Sequence, residues 1–134
     1  MTTVKLLSEL LTIQRFIERR RPIWVLTTIG FYSIVQKPWN KANGTLTIRS
    51  RVRGDLEGLR AYIPDMSDII ESEDSDYRYR SVAKRETVMA ALATLVADID
   101  YDNFKAAVAA APRQGYRRAA VYGEVWQVLY GLQA

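Results

Sequence analysis

Histidine and cysteine are both absent from the 134 residues, so any chemistry has to come from carboxylates, guanidinium groups, amines and hydroxyls. That excludes disulfides, thiolate nucleophiles, Ser-His-Asp and Cys-His arrangements and the usual zinc ligand sets. The tightest acidic pattern is Asp98, Asp100 and Asp102, whose alternate spacing resembles the opening of a calcium loop. Such a loop needs Gly at its sixth place and Glu at its twelfth, and those places hold Asn103 and Ala109. The capping reading is simpler: Asp100 or Asp102 accepts backbone N–H groups at the start of a helix from Asn103, where negative charge suits the dipole. Six more carboxylates fall between Asp65 and Asp76, interleaved with Met66, Ile69 and Ile70. This segment reads as an ordered acidic loop rather than a metal site. No carboxylate pair carries the apolar setting that tunes a general acid, and no glycine-rich phosphate loop occurs. The expectation is a protein that is not an enzyme and uses no metal and no cofactor.

The cations are more informative. From Thr45 to Arg53, Leu46, Ile48, Ser50 and Val52 alternate with Thr45, Thr47, Arg49, Arg51 and Arg53; from Tyr77 to Lys84, Tyr77, Tyr79, Ser81 and Ala83 alternate with Arg78, Arg80, Val82 and Lys84. Side chains of a strand point alternately to its two faces. If both runs lie in one sheet, Arg49, Arg51, Arg53, Arg78, Arg80 and Lys84 share its outer face. Six cations on one surface suit phosphates or an acidic protein surface. The same alternation turns Tyr77 and Tyr79 inward and leaves no aromatic platform for unpaired bases. An acidic segment folded across the face would cancel it.

The positioning elements follow from periodicity and punctuation. Leu6, Leu10, Ile13 and Ile17 form the stripe of a helix over residues 3–19, with Leu7 and Leu11 beside it, a Thr2 or Thr3 cap, and Arg19, Arg20 and Arg21 before Pro22. Strands are expected at 23–28, 31–37, 45–53 and 77–84, with a turn at Ile29-Gly30 and a connection through Asn43-Gly44. Helices are expected at 54–63, from Val88 to Ile99, at 103–111 and at 117–132. The order is α-βββ-α-β-ααα: an α+β domain with a mostly antiparallel four-stranded sheet (βββαβ) covered by helices. Residues 1–22 read as an N-terminal amphipathic helical extension and residues 23–134 as a single domain. The last helix has apolar residues around its circumference, including Trp126 and Tyr130, so it is either deeply buried or half of an intermolecular contact. Leu6, Leu10, Ile13 and Ile17 of the first helix either pack on the sheet or form a second contact surface, for a partner, a second copy or an anionic membrane.

Composition sets the class. Apolar residues make up 49% and charged residues 25%, the usage of a globular domain. The net charge is +4, and the isoelectric point lies near 9.5. No apolar run approaches the roughly 20 residues of a membrane span, and the N-terminus lacks the pattern of a secretory signal, so the expected location is cytoplasmic.

Several motifs resemble a family of small, functionally uncharacterised bacterial proteins. They are Gly30-Phe31-Tyr32-Ser33-Ile34-Val35-Gln36-Lys37; Arg49 to Arg53 followed by Asp55-Leu56; Asp76-Tyr77-Arg78-Tyr79-Arg80; Asp98-Ile99-Asp100-Tyr101-Asp102-Asn103-Phe104-Lys105; and, near the end, Val125-Trp126 and Leu129 to Gln133. Members begin near a Met-Trp, in whose place stands Trp24, so the likeness covers about residues 24–133. It implies a domain boundary and no activity. Three functional readings stand. The first is a non-catalytic binding protein of bacterial, phage or plasmid origin, with a protein partner or as a homodimer, by analogy with anti-CRISPR inhibitors of nucleic-acid-handling defence systems. The second is a direct DNA- or RNA-binding protein using the arginine face. The third is a metal-dependent enzyme using the acidic residues.

Overall fold

A computed structural model describes residues 3–19 and 22–133, and the side chains of these except for 12–19. The elements are α1 (Thr3–Arg19), β1 (Ile23–Leu26), β2 (Phe31–Val35), α2 (Pro38–Asn43), β3 (Thr45–Ser50), α3 (Arg53–Leu59), β4 (Ile70–Glu71), β5 (Tyr79–Lys84), α4 (Arg85–Ala97), α5 (Phe104–Ala110) and α6 (Gly115–Tyr130), which closes in a short 3-10 turn over Gly131–Gln133. The fold is α+β, as expected. The sheet is antiparallel throughout, in the order β1-β2-β3-β5-β4. Its fifth strand is the departure: two residues of the acidic segment pair with β5, Ile70 opposite Arg80 and Glu71 opposite Tyr79.

Turn chemistry sets the register. Thr27 N–H and Oγ1 both donate to Gly30 O, and Oγ1 in turn accepts from Ile29 and Gly30 N–H, closing the β1-β2 turn. The connection after β2 is a short helix, α2, started by Pro38, whose fixed φ suits a first helical position. Gly44 ends it in the left-handed region at φ 65, which glycine adopts without steric cost. Buried Asn40 holds α2 to the sheet: its Oδ1 accepts from Lys37 N–H and Thr47 Oγ1, and its Nδ2 donates to Thr45 Oγ1.

Alternation assigns the two faces. One carries Tyr32, Ile34, Ile48 and Ala83 and packs against Leu56 and Leu59 of α3, Ile63, Met66, and Val88 and Ala91 of α4 in the main core. The other carries Leu26 and Phe31, which pack against Phe104 and Val108 of α5 and Ala119 and Tyr122 of α6 in a second core. The α5-α6 pair therefore covers the β1-β2 end of that face alone. Among the described residues no helix is long and apolar enough to cross a membrane.

Candidate functional site

The six cations are divided by the structure. Arg49 and Arg80 stand opposite each other in the β3-β5 register, and Lys84 lies four residues along β5 on the same face. Strand β3 ends at Ser50, because Ser50 Oγ accepts from Val52 N–H and donates to Val52 O, turning the chain into α3. Arg51 thus follows the strand, and Arg53 is the first residue of α3, where Nε donates to Glu57 Oε1 at 3.0 Å. Alternation also fails at the start of β5. Ser72 N–H donates to Arg78 O, Tyr77 comes to the outer face, and Arg78 turns to the core side. There Arg78 Nε meets Glu71 Oε1 at 2.7 Å and Nη2 meets Glu73 Oε1 at 3.5 Å. The Glu71 hydrogen bond is the main cause that raises the Arg78 pKa further above its ordinary value.

Tyr77 is buried on the outer face, with the Arg49 guanidinium 4.5 Å and the Arg51 guanidinium 4.7 Å from its ring centre. The tyrosine expected inside is an anvil for two arginines and offers no free ring to a base. Arg49 Nη2 also donates to Ser33 Oγ, and Arg80 Nη2 to Ser75 Oγ. The acidic segment therefore lies beside the basic face as an edge strand, holding Arg78 by carboxylates and Arg80 by a hydroxyl. It does not lie across the face.

The cap before α5 differs from expectation. Asn103, and neither Asp100 nor Asp102, accepts the Ala106 N–H at 2.9 Å. Among the described residues no three Asp or Glu are grouped to hold a metal ion.

A constellation that the sequence left unmarked lies at Asp55, in the first turn of α3 and fully buried. Its Oδ1 accepts from Arg113 Nη1 at 2.6 Å and Arg118 Nη2 at 3.2 Å; its Oδ2 accepts from Phe31 N–H at 3.0 Å and Arg118 Nη1 at 2.9 Å. Four donors fill the carboxylate's acceptor capacity. Tyr32 Oη donates to Asp55 O at 2.6 Å, and Arg113 also reaches Ile29 O. Gly30 makes this closeness possible: a Cβ there would lie 2.7 Å from Asp55 Cβ and Cγ and 2.8 Å from Tyr32 Oη. Burial, helped by the Asp55 charge, pushes the Tyr32 hydroxyl pKa far above its ordinary value, so it remains a donor. Burial likewise raises Tyr122, beside Arg118. For Arg118 burial is the largest single influence and opposes the charge, but the hydrogen bonds to Asp55 and Tyr122 and the Asp55 charge together outweigh it and the pKa rises. One carboxylate thus joins α3, β2, the α5-α6 connection and α6, and Arg113 ties the β1-β2 turn to the group through Ile29 O. The sequence marks Asp55 only through the Asp55-Leu56 motif, and nothing near Arg113 or Arg118 points to it.

Beyond this junction α6 loses its cover. Ala119 and Tyr122 are buried, whereas Trp126 is 57% exposed, Val128 77%, Leu129 57% and Leu132 83%. Trp126 and Tyr130 stack on each other with ring centres 5.3 Å apart. In α1, Leu6, Leu7, Leu10 and Leu11 are all exposed; Ile13 and Ile17 fall among the side chains outside the described residues, as do Arg20 and Arg21. Of the two alternatives set for the last helix, deep burial fails: only Ala119 and Tyr122, in its first half, are buried, and Tyr116 is 85% exposed.

No family model, curated protein or solved structure matches the chain.

Proposed function

We propose that this chain is a small non-catalytic binding protein that acts by covering a surface of another macromolecule, a protein in the first place. The observation that carries the reading is the second half of α6, a regular helix whose Trp126, Val128, Leu129 and Tyr130 face solvent while its first half is fixed to the sheet through Asp55. A rigid base with an uncovered apolar extension suits docking, because large exposed apolar patches on ordered elements mark interaction sites. The exposed leucines of α1 add a second apolar surface. By analogy, an inhibitor of a nucleic-acid-handling defence system belongs to this class. A homodimer belongs to it as well.

A photo-crosslinking side chain at position 126, compared with one at the exposed Asp74, tests this in cells that make the chain. A discrete protein adduct at 126 and none at 74 is expected. An uncrosslinked single species at both positions would sink the reading. The alternative, nucleic acid on Arg49, Arg51 and Arg80, draws support from Arg51 and Arg80, which have no ion pair among the described residues. It requires binding of labelled DNA or RNA that weakens steeply between about 50 and 200 mM salt and is lost in Arg49→Glu/Arg80→Glu.

A further inference from the structure

The sheet has two edges, and the chain treats them differently. Strand β4 is two residues long and carries Glu71, with Asp68 and Glu73 close by in sequence. Shortness and charge are the devices that keep an edge from pairing with another chain. Strand β1 has neither. It reads Ile23-Trp24-Val25-Leu26, pairs with β2 on one side only, and leaves Ile23 61% and Trp24 62% exposed. The side chains described for α1, which precedes it, are all exposed rather than packed on this edge. The β1-β2 register fixes which backbone groups face the open side. Thr27 N–H donates to Gly30 O, so these two residues face each other as a hydrogen-bonded pair, and antiparallel pairs alternate from there. Val25 and Ile23 therefore turn their groups to β2, whereas Trp24 and Leu26 turn theirs outward. The same parity shows one strand further in, where Phe31 N–H points away from β1 to Asp55 Oδ2. Trp24 and Leu26 thus hold two N–H and two C=O groups without a partner among the described residues.

We infer that β1 pairs antiparallel with β1 of a second copy about a two-fold axis at Val25, which sets Trp24 opposite the partner's Leu26 and Leu26 opposite the partner's Trp24. This register uses all four outward groups reciprocally. Shifted one way, Leu26 would oppose Pro22, which has no N–H; shifted the other way, Trp24 would oppose Thr28, inside the β1-β2 turn. The new pairs are apolar on both faces. On one, the partner's Trp24 comes beside Leu26, which with Phe31, Val121 and Val125 walls a cavity of about 380 Å³ that has almost no polar surface. Directly opposed side chains have Cβ atoms about 5 Å apart, so the partner's indole reaches that apolar opening. On the other face Val25 meets its own copy. Antiparallel pairing also keeps the arginine runs that precede each β1 at opposite ends of the pair, where a parallel arrangement would set like charges side by side. The surface is separate from the uncovered half of α6, so the inference goes beyond the docking reading and fails or stands independently of it.

Sedimentation velocity of the full chain over about 10 to 500 µM tests it, the range suited to the transient dimers that small interfaces form. A monomer–dimer equilibrium is expected. Trp24→Lys, which puts a charge on the edge, should raise the dissociation constant roughly tenfold or more with unchanged thermal melting, since the position is mostly exposed. Trp24→Phe should keep the dimer, and Trp126→Lys should leave it unaltered. The chain has no cysteine, so Val25→Cys introduces a single thiol that the two-fold register sets against its own copy. Mild oxidation should convert Val25→Cys to a disulfide dimer well before Asp74→Cys, which lies beyond the opposite edge. A monomer at every concentration would overturn the inference, as would equal oxidation at positions 25 and 74. A dimer that survives Trp24→Lys and is lost in Trp126→Lys would also overturn it, and would place the contact on α6 instead.

Discussion

The acidic edge at Glu71 and Glu73 and the buried junction at Asp55 use the same chemistry, carboxylate against guanidinium, with opposite consequences. At the edge, Arg78 and its two partners are roughly half exposed or more, so water and salt screen the attraction and long side chains lose entropy to hold it. At Asp55 the carboxylate side chain is 2% exposed, and every acceptor site is used. A buried ion of this kind is weak evidence for added stability, yet removing one partner is costly because it strands the others. The contrast teaches where the fold is specified. The edge pair decorates a strand that backbone pairing already holds, whereas Asp55 decides where α6 sits and so which of its faces remains uncovered.

Four changes test that contrast, from the largest effect downward. Asp55→Ala removes the one carboxylate that answers Arg113 and Arg118 and leaves the Phe31 N–H without its acceptor, and should lower the urea unfolding free energy by about 3–5 kcal/mol. Near-UV circular dichroism should also report loss of the Tyr122 environment. A loss under ~1 kcal/mol would remove Asp55 from the centre of the fold. Gly30→Ala places a methyl group against Asp55, which cannot retreat, and should cost about 1–3 kcal/mol by overpacking. Tyr32→Phe removes the buried hydroxyl hydrogen bond to the Asp55 carbonyl and should cost about 1–2 kcal/mol near neutral pH. Its pH dependence gives a sharper test. The Tyr32 hydroxyl pKa is raised in the folded protein, so its contribution is complete below the ordinary tyrosine value of about 10 and is lost as pH rises beyond it. Alkaline titration should therefore destabilise the wild type more steeply than Tyr32→Phe. Identical slopes above pH ~10 would mean that Tyr32 ionises in the folded state as freely as in the unfolded one. Arg78→Ala should leave the urea midpoint unchanged at moderate salt. A clear loss there would place the edge and the junction on the same footing.

Much of the architecture was legible from local pattern. The Thr45–Ser50 alternation, the Leu6/Leu10 stripe and Gly44 each act over a few residues, so their reading needs no partner. The acidic segment misled the strand count, since Ile70 and Glu71 pair only because β5 offers an edge. Tyr77 misled the face assignment, since alternation holds only where a ladder fixes the pleat and the ladder begins at Tyr79. The expected six-cation face depended on that alternation continuing through Arg51, Arg53 and Arg78. At those positions the chain is bend or helix.

The sequence by itself determined the α+β class, the antiparallel meander, the helix stripes and the exclusion of cysteine and histidine chemistry, because each depends on residue type and short-range spacing. Only the tertiary structure decided that Asp55 meets Arg113 and Arg118 across 58 and 63 positions of chain. It also decided that Arg49 and Arg51 close over Tyr77 and that half of α6 stands uncovered beside an apolar cavity. Burial and long-range proximity govern what a charge or an apolar face is worth, and both are properties of the folded chain.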